Sequence, residues 1–161
     1  MFDTECHVNR FLLGYAHMLV DELGDERLCE QPVPGVNHPA WIVGHLAYSG
    51  DGAVGVLGGQ KTLVGDWSKT FGAGSKPTAL RADYPSKTEL LRVLEERFET
   101  ARNLAAAVSP ERVLLPNPNA RLKDKLPTVR DAVAFLFTGH FALHLGQLST
   151  WRRLIGIAPL F

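Results

Sequence analysis

Apolar side chains recur every three or four positions through most of this chain, and strand-like alternation is almost absent. The first such stretch runs from about Thr4 to Leu28. Val8, Phe11, Leu12, Tyr15, Leu19 and Leu23 share its apolar face, and Asp21, Glu22, Asp25 and Glu26 fall mostly on the wet side. Pro32, Pro34 and Gly35 break it. A second helix is expected to open at Asn37-His38-Pro39, with asparagine as the cap and proline in the first turn, where its missing N–H costs nothing. It continues through Trp41, Ile42, His45, Leu46 and Tyr48, and Gly50, Gly52, Gly55 and Gly58-Gly59 weaken its second half. Ser86 and Glu89 form a capping-box pattern for a third helix with Leu90, Leu94, Phe98, Ala101, Ala105 and Val108 as its stripe, ended by Pro110. Pro127 and Thr128 open a fourth, with Asp131 well placed in its first turn, and Gly156 and Pro159 stop it near Ile155.

Four amphipathic helices and no sheet predict an all-α four-helix bundle, a single domain over residues 1–161. Between the second and third helices lies a long connector, from about Gly58 to Pro85. A connector of that length reads as a functional lid, a disordered segment, or a crossover joining two parallel helices.

Composition narrows the function classes. Hydrophobic residues are 45% and charged residues 21%, an ordinary globular balance. Lysine plus arginine equals aspartate plus glutamate, 17 against 17, which gives no electrostatic footprint for nucleic acid or an anionic membrane. The first residues lack the basic start and apolar run of a signal peptide, and no stretch is apolar enough to span a bilayer. Cys6 and Cys29 do not make a disulfide framework and fit no zinc spacing, so reduced thiols in a cytoplasmic protein are expected.

The histidines carry the chemistry. His140 and His144 are four positions apart in the last helix, so their side chains project within about 40° of each other, one turn apart. The same arithmetic places Val133, Leu136, Phe137, Gln147 and Trp151 on that face, which is therefore read as core-facing. Two imidazoles converging there suit a metal ion; the alternative is a pair of core histidines bonded to backbone or water. A third ligand must come from another helix, and His45, sharing a face with Trp41, Tyr48 and Ser49, is the candidate. His38 lies ~10 Å away along the axis and is expected to help open its helix. His17 is read as a partly buried, hydrogen-bonded side chain, and His7 as exposed. Asp51 sits about 240° around the helix from His45 and is not taken as a general base.

Asn37-His38-Pro39-Ala40-Trp41-Ile42-Val43-Gly44-His45-Leu46-Ala47 resembles the second helix of the DinB-like (YfiT-like) four-helix bundles. His140-Phe141-Ala142-Leu143-His144-Leu145-Gly146-Gln147-Leu148, followed by Arg152-Arg153 and Gly156, resembles their last helix. The likeness covers the whole chain in helix order and is specific in these two segments. It implies a three-histidine metal site at His45, His140 and His144, and a bundle whose second and third helices run parallel.

Three neutral imidazoles leave a divalent ion with an open position, the arrangement of a catalytic centre. Zinc is the first expectation, with nickel or iron as alternatives. The resemblance implies an enzyme of one of two classes: transfer of a low-molecular-weight thiol, or hydrolysis by a water acidified by the metal. Tyr48, one turn beyond His45, and Gln147, one turn beyond His144, are the candidate catalytic residues. The alternative is a non-catalytic metal-binding or stress-associated protein. Trp41 and Trp151 are read first as core packing. Phe71-Gly-Ala-Gly-Ser-Lys76 lacks the spacing of a phosphate loop. The breadth of apolar surface on the last helix, with Phe135, Phe141, Leu145 and Leu148 beside the histidines, suggests a homodimer. The expected partner is a small molecule rather than DNA.

Overall fold

The helical periodicity is realised in a computed structural model that describes residues 1–160. The elements are α1 (Asp3–Val20), α2 (Pro39–Val56), the short α3 (Asp66–Phe71), α4 (Lys87–Ala107), the single turn α5 (Pro110–Val113), α6 (Val129–Phe137) and α7 (Gly139–Leu154). One-turn 3-10 helices lie at Asp25–Cys29 and Arg81–Asp83. No strand forms among the described residues; an isolated antiparallel bridge joins Pro116 to Thr128. The fold is all-α, as expected. Among the described residues no helix is long and apolar enough to cross a membrane.

Residue meetings fix the directions. Pro39, Ala40 and Val43 line one crevice with Leu90 and Leu91, and Gly50 lies against Phe98 further along, so α2 and α4 run parallel. Arg102 donates to Asn9, and His17 faces Glu95, so α1 is antiparallel to α4. Asn37 meets Gln147, Trp41 meets His144 and His45 meets His140, so α7 runs against α2.

Parallel α2 and α4 require the chain to travel back along the whole of α2, a path of ~27 Å. The Gly58–Pro85 connector is that crossover, and it is bonded to α2 at each stage. The N–H groups of Thr62 and Leu63 donate to the Asp51 carboxylate at 2.9 and 3.1 Å. The Phe71 carbonyl accepts from His45 at 2.6 Å. Ser75 Oγ accepts from the Trp41 indole at 3.0 Å, and the Thr78 carbonyl accepts from His38 at 2.8 Å. Arg81 then pairs with Asp25 and returns the chain to α4.

Several boundaries differ from the sequence reading, each through a tertiary bond. The first helix stops at Val20 rather than Leu28, because the Lys87 ammonium collects the carbonyls of Val20, Asp21 and Leu23 at the end of the turn. The cap of α2 is His38, not Asn37. His38 Nδ1 accepts from the Trp41 N–H while its Nε2 donates to Thr78. Ser86 accepts from the Glu89 N–H, but the Glu89 carboxylate turns to Arg92, so only half of that box forms; the full box is Thr128–Asp131. The last helix is two pieces. At Thr138 the backbone breaks (φ −122°, ψ −78°), and the buried Asn9 amide donates to the Phe137 carbonyl at 3.0 Å.

The glycine-rich half of α2 stays helical to Val56. A Cβ on Gly50 would stand 2.9 Å from the Phe98 ring, so the missing side chain is what lets α2 and α4 approach. Of the four side chains on which the homodimer expectation rests, Phe141, Leu145 and Leu148 are buried inside the chain and Phe135 is half-buried.

Candidate metal centre

α2 and α7 cross so that His45, His140 and His144 face one another. One ligand atom from each lies within 4.8 Å of the others. The ring centroids are 5.2 Å (His45–His140), 4.5 Å (His45–His144) and 4.7 Å (His140–His144) apart. His45 is buried; the two α7 histidines are half-buried. The core face of α7 is Phe141, Leu145, Leu148 and Arg152 rather than the histidine row, and Gln147 is exposed. The break at Thr138 and Gly139 starts a fresh helix one residue before His140, which sets the rotation of that row independently of α6.

Each ring is oriented by its surroundings. A carbonyl only accepts, so His45 Nδ1 carries its proton toward Phe71, and the Nε2 lone pair points at His140. His144 Nδ1 sits 3.2 Å from Gln147 Oε1, which also accepts from Asn37 at 3.1 Å; this again puts the proton on Nδ1 and leaves Nε2 for a ligand role. Trp41 stacks on His45 at 4.7 Å and 6°, its indole N–H held by Ser75, and Phe135 meets His140 edge-on at 5.7 Å. The Phe71 ring packs on Gly44, where a Cβ would come within 2.1 Å of it; that contact seats the carbonyl that holds His45.

Burial pushes His140 down to about 3, with the His144 and His45 charges adding to the effect. Burial pushes His144 down to about 4, again with repulsion from His45 and against the pull of Gln147. Burial lowers His45 as well, opposed by the Phe71 carbonyl. All three are neutral at pH 7 and offer lone pairs, the protonation state a metal needs.

The arrangement fits a divalent ion. His45 Nε2 and His140 Nε2 are 3.3 Å apart, close to the ~3.4 Å separation of two nitrogens bound to one tetrahedral zinc. His140 Nδ1 is buried without a hydrogen-bond partner, so its ring has no protein acceptor fixing it. Without an ion, His140 can donate through Nε2 to His45 only with its buried Nδ1 left unmet, and an unmet buried polar atom costs about 1–3 kcal/mol. The three-histidine group could therefore hold a metal ion, with one side open.

That side faces a cavity of about 460 Å³. His45, His140, Tyr48 and Phe135 line it, together with the exposed Lys61 and Arg121. No aspartate or glutamate is among the described residues lining it. Tyr48 thus shares the cavity with two of the histidines, with the Lys61 ammonium 5.5 Å from its ring centre. Gln147 instead lines a separate groove with Asn37 and Trp151, and touches the site through His144.

The other candidates are placed elsewhere. Asp51 is fully buried and saturated by Thr62 and Leu63, with Arg97 3.6 Å away; the sequence reading had no role for this anchor. Trp151 is core, its indole bonded to the Glu30 carbonyl. His17 faces Glu95 at 2.7 Å, and His7 is exposed. Cys6 and Cys29 are buried free thiols. The Phe71–Lys76 segment packs on α2, Phe71 and Ser75 serving the histidine and tryptophan.

A family model described as the DinB superfamily matches residues 13–148, a range that includes all three histidines and the crossover. Among curated proteins no match to the chain is found.

Proposed function

The chain belongs to the DinB superfamily, and on that footing we propose that it is a metal-dependent enzyme that transfers a low-molecular-weight thiol. His45, His140 and His144 would hold one divalent ion, zinc first and nickel or iron as alternatives. When bound, that ion supplies Lewis-acid stabilisation of a thiolate at neutral pH.

The observation carrying the choice of thiol transfer is the cavity on the open side, which has room for a small molecule and no carboxylate in its lining. A metal acidifies a bound water without a carboxylate, but hydrolysis commonly also enlists a proton-carrying side chain to reach the leaving group; a thiol needs only its proton lost and its sulfur held. In the reaction proposed, the thiol proton passes to solvent. The sulfur then forms a bond to an electrophilic carbon of the acceptor, whose leaving group departs with the bonding pair. Tyr48 and Phe135 line the cavity; in this reading Tyr48 donates a hydrogen bond to the acceptor or leaving group, and Phe135 packs against its apolar part. Gln147 acts as a positioning residue, holding the His144 tautomer. The compartment proposed is the cytoplasm, where both buried cysteines would stay reduced.

The test is a paired assay of the zinc-loaded chain with small thiols plus an activated aryl chloride, and with activated esters alone. The reading expects thiol consumption that requires zinc and is lost in His140→Ala. Ester cleavage without any thiol, also lost in His140→Ala, would replace transfer by the hydrolase reading. Neither activity, with the metal bound, would favour the non-catalytic alternative.

A further inference from the structure

The cavity beside the histidines has a polarity of its own. Its lining includes the buried His45 and the half-buried His140, Tyr48 and Phe135. It also carries two exposed cations delivered by different connectors, Lys61 from the crossover and Arg121 from the loop before α6.

Neither cation has a carboxylate partner among the described residues. The Lys61 ammonium has the Tyr48 ring face. Arg121 donates through Nη1 to the Ala73 carbonyl at 3.0 Å, a bond between the two connectors, and its Nε and Nη2 have no protein acceptor. Arg27, Arg81, Arg92 and Arg152 are neutralised by carboxylates; Arg10, Arg102, Arg112, Arg130 and Arg153 have none among the described residues either, and what sets Arg121 apart is its place in the lining of this cavity. The bond to Ala73 fixes Arg121 in place, so part of the ordering cost of binding is met before a ligand arrives. An unpaired guanidinium edge suits the two oxygens of a carboxylate, and a flexible ammonium suits the same charge from the other side.

We infer that Lys61 and Arg121 form an anion clamp, and that the substrate carries a carboxylate at the end opposite its metal-seeking group. This rests on reading the three histidines as a metal site. The clamp selects among thiols: an acid is retained, and a neutral or cationic thiol of equal length is not.

Calorimetric titration separates the two readings. The zinc-loaded chain is titrated with mercaptohexanoate and mercaptohexanol, and the metal-free chain with hexanoate and hexanol. The clamp predicts that the acid of each pair binds about tenfold tighter or better, and that the preference shrinks as salt rises. A Lys61→Gln/Arg121→Gln variant should bring the acid down to the alcohol and leave zinc content unchanged. Both side chains are exposed, so folding is not at stake. Equal binding of acid and alcohol by the native chain, or a preference surviving in the double variant, overturns the clamp. If zinc is not taken up but the hexanoate preference holds in the native chain and vanishes in the variant, the clamp stands and the metal reading falls.

Discussion

His45 and Asp51 are buried polar side chains less than two turns apart on α2, and both are met by the crossover. They differ in how fully they are satisfied. Asp51 takes two backbone N–H groups and a hydroxyl from the crossover and has Arg97 nearby, so its bonding capacity is used. His45 spends one nitrogen on the Phe71 carbonyl and aims the other at His140 Nε2, whose ring leaves its own buried Nδ1 without a partner, while His144 keeps its proton on Nδ1 toward Gln147. Burial alone does not distinguish an anchor from a site. The count of unmet lone pairs does: the Asp51 end of the crossover is structural, and the His45 end is built to receive something.

The sharpest way to break this comparison is Asp51→Ala. It strips acceptors from Thr62 and Leu63 and leaves Arg97 without its buried counter-charge, so stability should fall by about 3–5 kcal/mol in urea denaturation. A loss below about 1 kcal/mol would mean that the anchor is not one. Next comes Gln147→Ala, at an exposed position. Metal-free stability should change by less than about 0.5 kcal/mol, while zinc affinity drops about 10–100-fold because the His144 ring loses its orienting partner. An unchanged affinity would make Gln147 a bystander.

A third test is the dependence of metal-free stability on pH. His45, His140 and His144 all titrate lower in the folded state than the ordinary 6.5, and buried His38 does the same. The unfolded chain therefore takes up protons that the native state refuses. The native state should keep its full stability above about pH 7 and lose it as pH falls through 6.5 toward the folded values near 4 and 3. Urea midpoints measured from pH 7.5 to 5 should decline, and decline less in His140→Gln/His144→Gln. Equal slopes in the two proteins would place the titration elsewhere.

What was legible in the sequence followed from short-range geometry. The i, i+4 spacing of His140 and His144 and the face shared by His45 and Trp41 needed no tertiary knowledge, and the i, i+3 relation of His144 to Gln147 is likewise local. What was not legible depended on partners far along the chain. The stop of α1 at Val20 is enforced by Lys87, and the break before His140 is matched by the Asn9 amide. The choice of His38 over Asn37 as cap follows from Thr78 and Gln147, which engage the two side chains differently. Asp51 carried a faint signal, a lone acid in an apolar, glycine-rich helix. Its angle away from His45 correctly removed it from the chemistry but did not show that it anchors the crossover. Of the apolar residues on α7, Phe141, Leu145 and Leu148 are used within the chain, whereas Leu143 and Leu154 stay exposed.

The claim that the His45 end is a metal site is tested most directly by metal content. The untagged chain, purified and then dialysed against zinc, nickel or iron(II) with excess removed, is analysed by elemental mass spectrometry beside His144→Ala and Asp51→Asn. About one ion per native chain is predicted, as for a three-histidine catalytic centre; it should be lost in His144→Ala with the helical circular dichroism unchanged, and kept in whatever fraction of Asp51→Asn remains folded. A native chain that carries no metal and takes up none from any of the three solutions would contradict the account and leave the three histidines as core residues.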